Sequence, residues 1–166
     1  MKPIQTLLKN RLIYFSLIIL IAFLFSLYQI NVENLWYDEI ASFWVADPSL
    51  TYIETYSRVL NENTPSAYYF LIKLFFSFFS YDPDFLRIFN IPIYIISLIY
   101  FNLILTKISK NNLFIFFASA LFVFNSFLIS YTQEGRVFTF FCMMSLILIN
   151  QYMALHQVKK NFSYIL

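Results

Sequence analysis

The chain has 166 residues, of which hydrophobic types make up 60%, aromatics 22% and charged residues only 12%, with a formal net charge of +2. A soluble domain covers its surface with about 25% charged residues, so this composition excludes a water-soluble globular protein and points to a membrane protein. The small, dispersed positive charge gives no basis for a nucleic-acid partner, and a lone cysteine, Cys142, excludes an internal disulfide.

Lys2, Lys9 and Arg11 precede the apolar run Leu12–Ile30. That run exceeds the ~7–15 residues of a signal-peptide core, and its end offers no small-x-small cleavage site. It is therefore predicted to be an uncleaved first span. A transmembrane helix needs about 20 apolar residues, and three further stretches qualify: 85–105, 113–131 and 137–155.

Between the first two spans lies a long loop, 31–84, that begins with Trp36-Tyr37-Asp38-Glu39-Ile40. Within it, Asp47-Pro48 reads as a helix start, with Asp at the cap and Pro in the first turn. Leu50, Ile53, Tyr56, Val59 and Leu60 then mark an apolar face, and Glu54 and Arg58 are placed to pair at i, i+4. Thr64-Pro65 opens a second helix, 65–80, whose polar residues Ser66, Tyr69, Lys73, Ser77 and Ser80 fall on one stripe. Such a helix suits the membrane interface, stripe toward water or a cavity; a short fifth span with Lys73 snorkelling is the alternative. Asp82-Pro83 opens the second span, and Pro92 is placed to kink it. The third and fourth spans meet with almost no loop in Ser130–Phe138, SYTQEGRVF, which holds the chain's one glycine, Gly135. A reversal that tight favours a residue tolerant of unusual backbone angles.

Lysine and arginine distribution sets the orientation. With four spans and the N-terminus inside, the inner segments hold Lys2, Lys9, Arg11, Lys107, Lys110, Lys159 and Lys160 and no acid, while every Asp and Glu lies outside. A fifth span over 65–80 would invert everything after it and destroy that separation. The expected fold is thus all-α and polytopic: about four transmembrane helices, a cytoplasmic N-terminus, and a long extracytoplasmic first loop with juxtamembrane amphipathic helices, in a cell inner or plasma membrane. Asp38, Glu39 and Glu134 then share one side.

Three segments, in order, resemble motifs of the integral-membrane glycosyltransferases of the GT-C superfamily. The similarity is to the branch that uses polyprenyl- or dolichyl-phosphate sugars, which includes protein O-mannosyltransferases and lipid A aminoarabinose transferases. WYDEIASFWVA (36–46) resembles the acidic motif of their first outer loop. NENTPSAYYFLIKLFFSFFSYDPDFLRIFNI (61–91) resembles a "PPLYYLLL…G…LR" stretch, and NSFLISYTQEGRVFTF (125–140) resembles "SPF…YSQEARMYAL". The family's second proline is Ser66 here, the alanine of "EAR" is Gly135, and the following tyrosine is Phe138. Family members run to several hundred residues with more spans, and 162–166 reads like the start of another apolar segment, so 1–166 is expected to be the N-terminal portion of such a domain or a truncated copy.

The resemblance implies inverting transfer of a sugar from a polyprenyl-phosphate donor to a hydroxyl acceptor (lipid, glycan or protein) on the extracytoplasmic face. Phosphate is a good leaving group, so the site needs one base for the acceptor proton and cationic donors for the developing phosphate charge. By match to the family, Asp38 is the candidate base. Glu39 is an orienting partner or metal ligand, its pKa coupled to that of Asp38 so that one is raised. Arg136 is the candidate phosphate contact, or is held by Glu134 to shape that pocket, with simple pairing of Glu134 and Arg136 at a wet helix end as the alternative; Arg87 matches the "LR" arginine, with a plain interfacial anchor as the alternative. Lys73 could reach lipid phosphate, although an ordinary interfacial lysine is the simpler role. No cofactor is implied with certainty; a His-containing metal site is not expected, since His156 lies at the other end, while an all-carboxylate divalent cation site stays open. Trp36, Tyr37, Phe43 and Trp44 suit an aromatic belt or a cover for sugar and isoprenoid. Two other readings compete: a truncated, non-catalytic membrane scaffold, and a transporter fragment, against which the uncharged middles of the later spans count.

Overall fold

The computed structural model describes residues 2–162 other than 31 and 63, with side chains over 11–156. The side chains of Lys2, Lys9, Lys159 and Lys160, and the apolar stretch 163–166, lie outside the described residues. Within them the chain is all-helical: α1 (Lys2–Leu27), α2 (Tyr37–Val45), α3 (Tyr52–Val59), α4 (Ser66–Phe78), α5 (Pro83–Ile108), α6 (Asn112–Val123), α7 (Ser126–Gln133) and α8 (Phe138–Phe162), with no strand among the described residues. α5 and the Phe138–His156 part of α8 are each long and apolar enough to cross a membrane, and α6 with α7 makes a third if the bent pair is one span. The Arg11–Leu27 part of α1 and helix α4 are shorter apolar helices.

Helix boundaries follow from local chemistry. Asp82 caps α5 by accepting from the Asp84 N–H at 2.9 Å, with Pro83 in the first turn, as the Asp-Pro pair predicts. The helix runs unbroken through Pro92. The stretch expected as a single third span is instead two helices bent by 49°. Asn125 causes the break: its side chain accepts from the Leu128 N–H at 3.2 Å, capping a new helix where the old one would have continued.

The loop between α1 and α5 differs from the sequence expectation in its details. Asp47-Pro48 starts a turn rather than a helix, with Asp47 accepting from both the N–H and the hydroxyl of Ser49. α3 starts later, where Thr51 and Glu54 form a reciprocal capping box. Glu54 is thereby committed to the cap and does not pair with Arg58. Arg58 instead donates to the Trp44 carbonyl at 2.6 Å and stacks over the Trp44 ring. The expected apolar face of α3 is buried only in part: Val59 is buried and Leu50 half-buried, but Ile53, Tyr56 and Leu60 are exposed, and Thr55 packs beside Val59.

Two apolar clusters hold the helices together. Val45 and Val59 of the loop helices join Tyr68, Ile72 and Phe76 of α4, Leu86, Phe89 and Ile93 of α5, and Val137, Phe140 and Met143 at the start of α8. Ile18 and Ala22 of α1 pack with Tyr94, Leu98 and Val123 farther along. Within the apolar layer, where lipid competes equally for hydrocarbon, polar bridges between helices add stability. Asn102 donates to Ser119 at 3.1 Å and the Tyr94 hydroxyl to the Val123 carbonyl at 3.3 Å. At the far end of α1, Gln29 adopts a left-handed backbone (φ 58°) and the Gln133 amide reaches the Phe25 and Tyr28 carbonyls at 3.1 and 2.6 Å. The open carbonyls of that helix end are satisfied from α7.

Of the predicted polar stripe on α4, Tyr69 and Lys73 are buried against the preceding loop, while Ser77 and Ser80 are exposed. The Lys73 ammonium donates to the Asp47 and Leu50 carbonyls, each at 2.6 Å, and so closes the 47–50 turn over α4. Lys73→Met leaves both carbonyls without this donor, and the expected loss is about 1.5–3 kcal/mol. Exposed Ser77→Ala should stay within about 0.5 kcal/mol. Thermal unfolding of both variants in detergent micelles checks the difference.

Candidate functional site

The C-terminal ends of α1 and α7 and the N-terminal ends of α2, α5 and α8 converge on one cluster of charged side chains. Glu39 sits in the first turn of α2, in the third helical position, where a glutamate naturally reaches back to the residue before the helix. It is 0% exposed. Its Oε2 accepts from the Trp36 N–H at 2.9 Å and Arg87 Nη2 at 2.8 Å; its Oε1 accepts from Arg87 Nε at 2.8 Å and the Gly135 N–H at 2.6 Å. Four hydrogen bonds fill the acceptor capacity of a carboxylate.

Arg87, one turn into α5, completes the arrangement. Besides its two bonds to Glu39, Nη1 donates to the Ile30 and Glu33 carbonyls at 2.8 and 2.9 Å, and Nη2 to the Asn34 carbonyl at 3.2 Å. All five guanidinium N–H groups are thus used by the protein. The phosphate role considered for Arg87 has no donor left to serve it; Arg87 anchors the stretch 30–39 instead. Lys73, on its two turn carbonyls, is likewise a structural anchor.

The 134–136 turn closes the cluster from the other side. The Arg136 N–H bonds to the Glu134 carbonyl at 2.8 Å, a three-residue reversal. Gly135 is required here by crowding, and not by the unusual backbone angles expected of it: its φ is not positive, but a Cβ would fall on the buried side chain of Leu86, and next would meet Glu39 Oε1. Asn90, one turn after Arg87 and fully buried, donates both amide hydrogens to the turn, to the Glu134 carbonyl at 2.5 Å and the Arg136 carbonyl at 3.0 Å. Gln133 and Asn90 were not singled out in the sequence; the available signal was an amide inside an apolar helix, where unsatisfied polar groups are costly.

Asp38 stands outside this closed network. Its side chain is 59% exposed and meets Arg136 Nη2 at 2.5 Å, while Arg136 Nη1 meets Glu134 Oε2 at 3.2 Å. The Arg136 guanidinium also lies 4.8 Å from the Phe138 ring. Asp38, Arg136 and Phe138 border a cleft of ≈ 300 Å³ that Ser42, Glu62, Thr64 and Tyr69 also line. Glu134, Gln133, Trp36 and Glu33 border a second hollow of ≈ 200 Å³. No family model, curated protein or solved structure matches the chain.

The adjacent acids Asp38 and Glu39 have opposite situations. Burial alone would raise the Glu39 pKa, but hydrogen bonds from Arg87, Gly135 and Trp36 outweigh it and hold the carboxyl below the usual glutamate value. The expected lifting of one acid of the pair fails for Glu39, which stays ionised and inaccessible. Of the flanking aromatics, Trp36, Tyr37 and Trp44 are exposed, as a belt requires, while Phe43 is a packing residue stacked on Tyr81 at 4.0 Å. Among the described residues no three His, Cys, Asp or Glu side chains converge into a metal-binding group.

Glu39→Gln leaves the Arg87 charge buried without its partner, an expected loss of about 3–5 kcal/mol. Because folding favours ionised Glu39, its contribution is complete above the ordinary glutamate pKa and disappears as pH falls through and below about 4.3. Thermal midpoints followed from neutral to acid pH should hold level and then drop in the native chain, with a smaller acid-side drop in Glu39→Gln.

Proposed function

We propose that the cleft between Asp38 and Arg136 is the reacting centre of a GT-C-type glycosyltransferase. It would move a sugar from a polyprenyl-phosphate donor to a hydroxyl acceptor, with inversion, on the extracytoplasmic face. The observation that carries this reading is the contact of an exposed carboxylate with a part-exposed guanidinium across a cleft, with the guanidinium's second arm on Glu134. Order along the chain supports it too, since these residues lie in the segments that resemble the family's motifs.

The chemistry follows from the two groups. Asp38 accepts the proton of the acceptor hydroxyl as its oxygen attacks the anomeric carbon. The bond from that carbon to the phosphate oxygen breaks on the opposite side, and the electron pair leaves with the polyprenyl phosphate. Arg136 meets the charge that develops there, in the fork geometry suited to phosphate. In the resting protein Arg136 is engaged by Asp38, so an arriving phosphate competes for the guanidinium and releases the carboxylate to act as base. Glu39 and Arg87 hold the walls and take no part in proton transfer.

A four-span topology belongs to the same reading. The ends of α1, α5, α7 and α8 that meet at the cluster fit four alternating crossings, with α6 and α7 together as one. α4 has 13 residues, a rise of about 20 Å against a hydrocarbon thickness of about 30 Å. It suits a position along the interface with the loop, and the acid-free inner segments favour an extracytoplasmic cleft.

Asp38→Asn in the complete protein, reconstituted in vesicles with a radiolabelled polyprenyl-phosphate sugar, should lower kcat at least about 10²-fold with the melting profile unchanged. Near-native turnover would remove Asp38 as the base.

A further inference from the structure

We propose that Asn90 is the positioning residue for Arg136 and Glu134, setting the register of the guanidinium toward the cleft. The role in turnover rests on the sugar-transfer reading; the geometry does not. Asn90 sits among apolar neighbours in α5, fully buried, and three hydrogen bonds account for its amide. The two hydrogens of Nδ2 go to the Glu134 and Arg136 carbonyls, and Oδ1 accepts from the Tyr68 hydroxyl at 3.3 Å. The two carbonyls flank Gly135, whose own N–H is held by Glu39. The turn is therefore fixed at two of its peptide groups, 134–135 and 136–137, by two buried side chains, one acidic and one neutral.

The neutral one bears directly on aim. Glu39 holds the middle of the turn, but Asn90 holds the residues whose side chains face Asp38 and each other. The two carbonyls fix which way the amide faces, because a flipped Asn90 would present its oxygen to both, and the Tyr68 hydroxyl donates to the Oδ1 that remains. Tyr68 is itself enclosed by Tyr69, Phe89 and Phe140, so the orientation is transmitted from the packed core of the loop helices to the site. A displacement of about 1 Å in a reacting group can cost about 10²-fold in rate, and Arg136 hangs on a short, otherwise tight turn.

Asn90→Asp tests this, since it keeps the shape and the Tyr68 contact but turns an oxygen toward the two carbonyls. The readout is modification of the full-length protein by phenylglyoxal, with peptides containing Arg136 and Arg58 quantified by mass spectrometry. Arg58 is bound to Trp44, far along the chain from Asn90, and serves as the internal reference. A several-fold rise in the Arg136-to-Arg58 modification ratio is expected. An unchanged ratio in a folded variant overturns the proposal, as does a parallel rise at both arginines, which is the mark of general loosening. If Asn90→Asp does not fold, Asn90→Leu, which removes both donors to the turn at similar volume, is read in the same way: a raised ratio supports the proposal and an unchanged ratio overturns it. In vesicle assays the same variants should raise KM for the polyprenyl-phosphate sugar more than they lower kcat, and Asn90→Gln should not restore the native value, because its longer arm overshoots the turn. Absence of sugar transfer by the native chain would remove the enzymatic reading while leaving the modification ratio as a valid test of the positioning role.

Discussion

One buried ion pair constrains the end of this protein where α1, α2, α5, α7 and α8 meet. Glu39 and Arg87 come from segments far apart in the chain, and both side chains are shielded from solvent. Taking two charges out of water costs several kcal/mol each. It is tolerated here because every lone pair of the carboxylate and every N–H of the guanidinium finds a partner. Those partners are backbone groups of 30–36 and of Gly135, so the pair fixes the exit from α1, the start of α2 and the turn before α8 together. Its contribution is specificity of arrangement as much as net stability.

That constraint divides two neighbouring acids into different tasks. Successive residues in the first turn of a helix point about 100° apart, so burying Glu39 leaves Asp38 outside. Glu39 is kept ionised and closed off, while Asp38 faces a cleft in contact with Arg136. A similar division holds among the cations. Arg87 spends its N–H groups on Glu39 and three carbonyls and Lys73 donates to two carbonyls, whereas Arg136 presents its guanidinium to the cleft. The amides Asn90 and Gln133 complete the frame by satisfying carbonyls at a turn and at a helix end.

Much of this was legible in the sequence, for physical reasons. Composition alone excluded a soluble fold, the apolar runs at 85–105 and 137–155 correspond to α5 and α8, and Asp82-Pro83 marked a helix start. The approach of the early acids to the Glu134–Arg136 turn was also expected, because the sequence reading set both at one end of the helices. What could not be read was which charged group would be saturated by backbone: that depends on distant carbonyls brought near only by the fold. Asn125 interrupts an apolar run that looks continuous by hydropathy, since capping is a one-residue effect that averages hide. Asp47-Pro48 lost the helix start to Thr51 because the Thr51–Glu54 box offers two reciprocal bonds where Asp47 offers a tight turn. Gly135 was recognised as special for the wrong reason; its neighbour Leu86 lies in a different helix, beyond any local pattern.

The central claim is that the Glu39–Arg87 pair holds Asp38 and Arg136 against each other. The direct measurement uses Asp38→Cys with Arg136→Cys in a Cys142→Ser background, treated in native membranes with a short bifunctional thiol reagent. Rapid cross-linking, lost when Arg87→Met is added, is the expected result. Failure to cross-link in the paired background, or cross-linking that is indifferent to Arg87, would contradict the account.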